Sequence, residues 1–204
     1  MISNNRSGGR GQRNPRSKAS KPEPTLVWSP ENAARKLPPA EASSESGLAP
    51  GLYLVATPIG NLNDITLRAL AVLRSADRIF CEDTRVSKKL LARYGIAKTL
   101  ETYHDHNAEE VRPVILEALR RGARVALMSD AGTPLVSDPG FRLVRAALSE
   151  GLPVTAAPGA SAAVTALILS GLPPDAFLFA GFLPARQAMR RRELERWATV
   201  DATL

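Results

Sequence analysis

Carboxylates and imidazoles gather in three short stretches of this chain: CEDTR at 81 to 85, YHDHN at 103 to 107 and SDAGTPLVSDPG at 129 to 140. Such groups can take a proton from a hydroxyl that must become a nucleophile, which makes Glu82, Asp83, His104, Asp105 and His106 the candidates for a general base. His104 and His106 are the only histidines. Their spacing around Asp105 suits a metal pair, yet at a strand end they would share a face without a third strong ligand nearby, so metal binding is disfavoured. Loop polarity or a grip on substrate fits them better. Arg85, beside two acids, reads as an ion-pair partner that holds its loop, with a phosphate as the other partner it could reach. Asp130 stands beside Ala131 and Gly132, small enough for a ligand to approach the backbone closely. A carboxylate there suits a cationic or hydroxyl-rich ligand. Asp138 reads first as an Asx turn or a cap for the helix that follows.

Two further loops surround these groups. TPIGNLND, residues 57 to 64, opens a strand-to-helix turn but matches neither GxGxxG nor GxxxxGK[ST]. It holds no Lys or Arg, so a polyphosphate would lack its countercharge, and dinucleotide and triphosphate ligands are disfavoured. APGASAA, residues 157 to 163, has side chains small enough to leave room for a flat, adenine-sized group. Tight packing of a helix on a sheet would produce the same composition.

The elements that must position these loops alternate. Apolar runs at 52 to 56, 78 to 82, 100 to 103, 124 to 129 and 153 to 157 read as strands. Helical patterns fill 66 to 76, 86 to 95, 108 to 121, 141 to 150 and 160 to 169. Asp64 or Thr66 is available to cap the first, and Gly95 and Gly122 to close the second and third. Strands alternating with helices over short connections imply right-handed crossovers and a parallel α/β sheet covered on both faces. Ligands of such sheets bind beyond the carboxyl ends of the strands, where these loops lie.

Composition sets the outer limits. The chain has 204 residues, 44% of them hydrophobic, and a formal charge of +7. Residues 50 to 185 carry 14 Lys and Arg against 13 Asp and Glu, so the excess charge sits at the two ends. Residues 1 to 49, rich in Pro, Gly, Ser and Arg, read as a disordered basic tail able to graze phosphates. A lone cysteine, Cys81, excludes an internal disulfide and reads as a buried small hydrophobe suited to a reducing cytosol. No apolar run approaches the roughly 20 residues of a membrane span. No secretory signal is evident, so the expected location is cytoplasmic.

VATPIGNLND, CEDTR, YHDHN, SDAGTPLVSDPG, PGASAAVTAL, SGLPPDAF and GFLPAR follow one another over residues 55 to 186. This series resembles the bacterial small-subunit (16S) ribosomal RNA cytidine ribose 2′-O-methyltransferases of the tetrapyrrole methylase superfamily. The resemblance implies an α/β domain over 50 to 174 that binds S-adenosylmethionine. It implies a second α/β domain beginning at 175 to 204, of which this chain holds only the start and an Arg-rich helix around Arg190 to Arg192. It assigns to the cofactor Pro58, Ile59 and Gly60, then Asp130, Ala131, Gly132, Thr133, Leu135 and Val136, then Ala160, Ser161, Ala162, Ala163, Leu172 and Pro173. The implied partners are 16S RNA in the small ribosomal subunit and a second copy of the chain, with no membrane and no metal. Two other readings remain: methylation of a tetrapyrrole precursor on the same fold, and a non-catalytic RNA-binding remnant. The tail's composition carries its own expectation. Amide exchange across residues 5 to 45 should be fast throughout, and slow exchange there would overturn the reading.

Overall fold

The alternation of apolar runs with amphipathic stretches becomes a single parallel sheet flanked by helices in the computed structural model, which describes residues 47–204. The strands are β1 (Gly51–Val55), β2 (Arg78–Cys81), β3 (Leu100–Thr102), β4 (Arg124–Met128) and β5 (Val154–Ala157). The helices are α1 (Leu67–Ser75), α2 (Thr84–Arg93), α3 (Ala108–Arg120), α4 (Phe141–Ser149), α5 (Ala162–Ser170) and α6 (Gln187–Trp197). All pairings are parallel, in the order β3-β2-β4-β1-β5, so every strand delivers its carboxyl end to the same edge.

The two-residue period of a strand divides the core into two layers. Tyr53, Val55, Ile79, Cys81, Ala126 and Met128 face α1 and α2, where Leu70, Leu73, Leu90 and Leu91 close over them. Leu52, Phe80, Val125 and Leu127 point the other way, against Ile115, Leu116 and Leu119 of α3 and Leu143 and Ala147 of α4. Cys81 is buried in the first layer. Its neighbours are those of a small hydrophobe.

Local signals account for most boundaries. Thr66 accepts the Ala69 N–H and starts α1. Gly95 and Gly122 adopt left-handed φ values of 63° and 80° just beyond α2 and α3. Helix α2 starts two residues before the expected Val86, because the Asp83 side chain accepts the Arg85 N–H and caps it. The expected cap at Asp138 is not made. Helix α4 opens instead at Gly140 without a side-chain cap, on a backbone (φ 129°) where a Cβ would stand 2.8 Å from Leu127. At the amino end, Leu48 packs on the first layer and Ala49 accepts the Tyr53 hydroxyl at 2.7 Å, within the stretch whose composition reads as tail. Residues 1 to 46, the rest of that stretch, lie outside the described residues.

The expected cover on both faces fails beyond β5. Helix α5 is apolar apart from Thr165 and the terminal Ser170, yet none of its residues is buried; Ile168 and Leu169 are 68% and 79% exposed. The contrast can be measured in chemical denaturation. Ile115→Ala, at a fully buried position, should cost about 2–5 kcal/mol, whereas Ile168→Ala should cost under about 0.5 kcal/mol.

Candidate functional site

At the carboxyl edge the loops after β1, β4 and β5 are bonded into one unit. Thr57 and Gly132 exchange backbone hydrogen bonds in both directions, at 2.9 and 3.0 Å. The Thr57 hydroxyl donates to the Ser129 carbonyl at 3.0 Å, and the Thr133 hydroxyl donates to the Ala160 carbonyl at 3.1 Å. Gly132 sits at the junction with φ 84°; a Cβ there would stand 3.2 Å from Ile59 Cγ2 and 3.6 Å from the Ala160 oxygen. Only glycine meets both demands without strain. Further along the same loop, Leu135 and Ser137 hold left-handed φ values of 73° and 57°, where a side chain costs about 1–3 kcal/mol. Such backbone persists when its surroundings over-determine it.

Of the residues that the resemblance assigns to a cofactor, this network joins Gly132, Thr133 and Ala160 and brings Ile59 against Gly132. Pro58 and Gly60 flank Ile59 in the chain, and Asp130 and Ala131 precede Gly132. Ser161 precedes α5, and Ala162 and Ala163 form its first turn. Leu135 is half-buried against the second core layer and Val136 is exposed beside it. Leu172 and Pro173 lie past the far end of α5, roughly 14 Å along the helix from Ser161. They are exposed.

The acids at this edge differ in what holds them. Asp83 caps α2 and binds the Arg85 guanidinium through both oxygens, from 2.6 to 3.1 Å, which lowers its carboxyl to about 2. An anion so committed is a poor base, and Arg85 is the ion-pair partner its position suggests. Asp130 accepts the Asp83 N–H at 3.1 Å, tying the ends of β2 and β4. Burial raises its carboxyl, the Asp83 N–H opposes this, and the charges of Glu82 and Asp83 add to it. Asp138, read from the sequence as a cap, is pushed up to about 6. Burial is the main cause, the Ser129 hydroxyl partly offsets it, and Glu82 and Asp130 reinforce it. The spacing of SDPG could not reveal this, since the partners come from β2 and from nine residues upstream. Glu82 itself is exposed at the end of β2.

His104 and Asp105 follow β3, which β2 separates from β4. His104 receives a different environment from the simple strand end expected. Its N–H donates to Asn107 Oδ1, its ring meets His106 edge to face at 5.9 Å, and its buried Nδ1 has no partner. No group of His, Cys, Asp and Glu among the described residues could hold a metal ion.

The residues present fit a ligand with a flat apolar end and cationic or hydroxyl-bearing parts. Backbone approach is open at the exposed Ala131 beside the buried Gly132, carboxylates stand at the strand ends, and the loops at 57 to 64, 129 to 140 and 157 to 163 contain no Lys or Arg. Bonded loops at the carboxyl edge of an all-parallel sheet define an α/β ligand-binding domain. The family model of the tetrapyrrole (corrin/porphyrin) methylases matches residues 51–204, and the chain belongs to that family.

A protein from Mesorhizobium japonicum named ribosomal RNA small subunit methyltransferase I is 60% identical over 157 residues, 77% of this chain and 53% of the relative. A protein of the same name from Halalkalibacterium halodurans is 53% identical over 153 residues, 75% of this chain and 53% of the relative. The chain thus spans about half the length of the curated relatives it matches. Among solved structures, a conserved hypothetical protein from Aeropyrum pernix K1 superposes with a TM-score of 0.54 at 26% identity, covering 64% of this chain and 46% of that one. Diphthine synthase superposes at 0.58 with 19% identity, covering 74% and 61%, which speaks for the fold alone.

Asp138 makes the site's pH dependence specific. Its folded carboxyl binds a proton more tightly than the unfolded chain's, so it weakens the fold as pH rises from about 4 to 6, and the penalty is complete above that. Asp138→Asn should therefore stabilise the chain at pH 7.5 by on the order of 1 kcal/mol, once the carboxyl's partial contact with water is discounted. The gain should vanish below about pH 4. Thermal midpoints of the two proteins across this range check it; a pH-independent difference would refute it.

Proposed function

We propose that this chain is the S-adenosylmethionine-binding half of an enzyme that methylates small-subunit ribosomal RNA, at the ribose 2′-hydroxyl of a decoding-centre cytidine. The observation that carries the reading is the junction at Gly132, which fixes the loops after β1, β4 and β5 around a site with carboxylates and no basic loop residue. Its relatives' names supply the class of acceptor. On this reading residues 50–174 form the cofactor domain and 175–204 begin a second, whose remainder corresponds to the part of the relatives this chain does not span. Pairing of two copies and a cytoplasmic location, where small subunits are made, belong to the same proposal. Among the described residues no helix is long and apolar enough to cross a membrane.

When bound, S-adenosylmethionine supplies an electrophilic methyl group on a sulfonium. The chain's part is positioning and proton removal, since in-line transfer tolerates little misplacement. The exposed Ala131 lets the ligand lie against the backbone, Gly132 locks the junction beneath it, and Asp130 offers a carboxylate to the ligand's cationic or hydroxyl groups. Ile59 stands against Gly132 at the junction, and the small Ala160 to Ala163 follow the third loop. The acceptor's hydroxyl proton passes to the Glu82–Asp138 carboxyl pair, because Asp138 titrates near neutrality while Asp83 is held as an anion by Arg85.

Asp130→Ala tests the cofactor half of the proposal, its side chain being placed at a loop rather than in the core. Calorimetry should show affinity for S-adenosylmethionine falling at least tenfold with the thermal midpoint nearly unchanged. The acceptor half is read by transfer of labelled methyl groups to small ribosomal subunits. A protein extended to the relatives' full length should turn over and this chain far less. Equal turnover by both would show that the second domain is not needed.

A further inference from the structure

A cavity of about 170 Å³ opens beside Asp130, between the loop after β1 and helix α2. Its walls are apolar: Pro58, Leu62, Val86, Leu90 and Met128. An apolar cavity of about 150 Å³ holds a benzene ring, so this one suits a single six-membered ring and is tight for a fused pair. The polar groups around it are not equal. Thr57 and Ser129 use their hydroxyls on the loop network. Ser87 does not: it is 1% exposed, and its Oγ makes no hydrogen bond of normal geometry. The Cys81 thiol beside it is at best a weak partner. A buried hydroxyl without a partner is unfavourable, and a ligand with a polar ring edge would supply the partner. Lys89 also lines the cavity, on the exposed side of α2.

We infer that this cavity is a base pocket: it receives the pyrimidine ring of the acceptor nucleotide, with Ser87 Oγ on the ring's polar edge and Lys89 placed for a backbone phosphate. The inference rests on the proposed function and extends it to the substrate's side of the site. A ring held here leaves its ribose next to Asp130 and the loop at 129 to 140, where the hydroxyl must be presented. Enzymes that do chemistry on a base take it out of the stack into a snug pocket, and holding the base in the same way here would fix the ribose attached to it. The wall at Leu62 is itself supported, since the Tyr94 hydroxyl donates to the Leu62 carbonyl at 2.6 Å.

The test titrates cytidine 5′-monophosphate, adenosine 5′-monophosphate and S-adenosylmethionine separately into the methyl-labelled chain. Cytidine 5′-monophosphate should shift the Leu62, Val86 and Leu90 methyl resonances more strongly than the purine nucleotide does. Ser87→Ala, which removes only the hydroxyl, should weaken that binding about tenfold, and Leu62→Trp, which fills the cavity from a position 42% exposed, should abolish it. Both variants should bind S-adenosylmethionine as the parent does. Methyls that respond to S-adenosylmethionine and to neither nucleotide would make the cavity part of the cofactor site and overturn the inference. Equal response to the two nucleotides, or unaltered cytidine binding by Ser87→Ala, would overturn it as well. Full methyl transfer by both variants in the extended protein would sink the pocket while leaving the proposed function standing. A chain that binds no S-adenosylmethionine would remove the proposed function, and the pocket's role with it.

Discussion

The reciprocal pair of hydrogen bonds between Thr57 and Gly132 is the constraint on which the rest of the site depends. Parallel strands bring their carboxyl ends to one edge, but the loops beyond them have no ladder of their own and would diverge. A two-residue antiparallel bridge across the tops of β1 and β4 holds the first two loops together, and Thr133 extends the bond to the third through Ala160. The cost is concentrated at Leu135 and Ser137, whose left-handed backbone turns the chain from this bridge down into α4. Strain of that kind survives only where neighbours leave no alternative, and the bridge on one side and Gly140 on the other supply that condition.

Charge is distributed to the same end. At the amino ends of the strands, arginines meet acids: Arg124 at the start of β4 binds Asp77, and Arg78 at the start of β2 binds Glu101. At the carboxyl ends the shifts of Asp130 and Asp138 have burial and neighbouring acids as causes, with no arginine among them. One edge of the sheet is therefore neutralised and structural. The other keeps Asp138, pushed up to about 6, and Asp130, raised by burial, of which the first can exchange a proton near neutrality.

Most of the fold was legible in the sequence because its strands are buried runs flanked by well-marked helix ends: Thr66, Gly95 and Gly122 act as their residue types suggest. Asp83 was legible only in part and Asp138 was not. Asp83 has a local partner two residues on, Arg85, and a local cap to make, so its role follows from chain neighbours only once the helix start is known. Asp138 has its partners just beyond β2 and at the start of its own loop, nine residues upstream, and the helix start its position offers is taken over by the backbone of Gly140. Ser87 was invisible for the same cause, since a hydroxyl on an amphipathic helix announces neither burial nor an empty partner. The bare face of α5 was concealed too, because a run such as AAVTALIL reads as covered whether or not anything covers it.

That bare face governs how the chain behaves among its own copies. Val164, Ile168 and Leu169 form an oily ridge beside β5, the outermost strand of the sheet on that side. An apolar ridge next to a strand edge with unused backbone groups is the arrangement that makes proteins stick to one another. Colloidal behaviour, more than unfolding, should then set the working concentration of this chain. Sulfate and phosphate buffers, which strengthen apolar association, would bring it out of solution at concentrations where chloride leaves it dispersed.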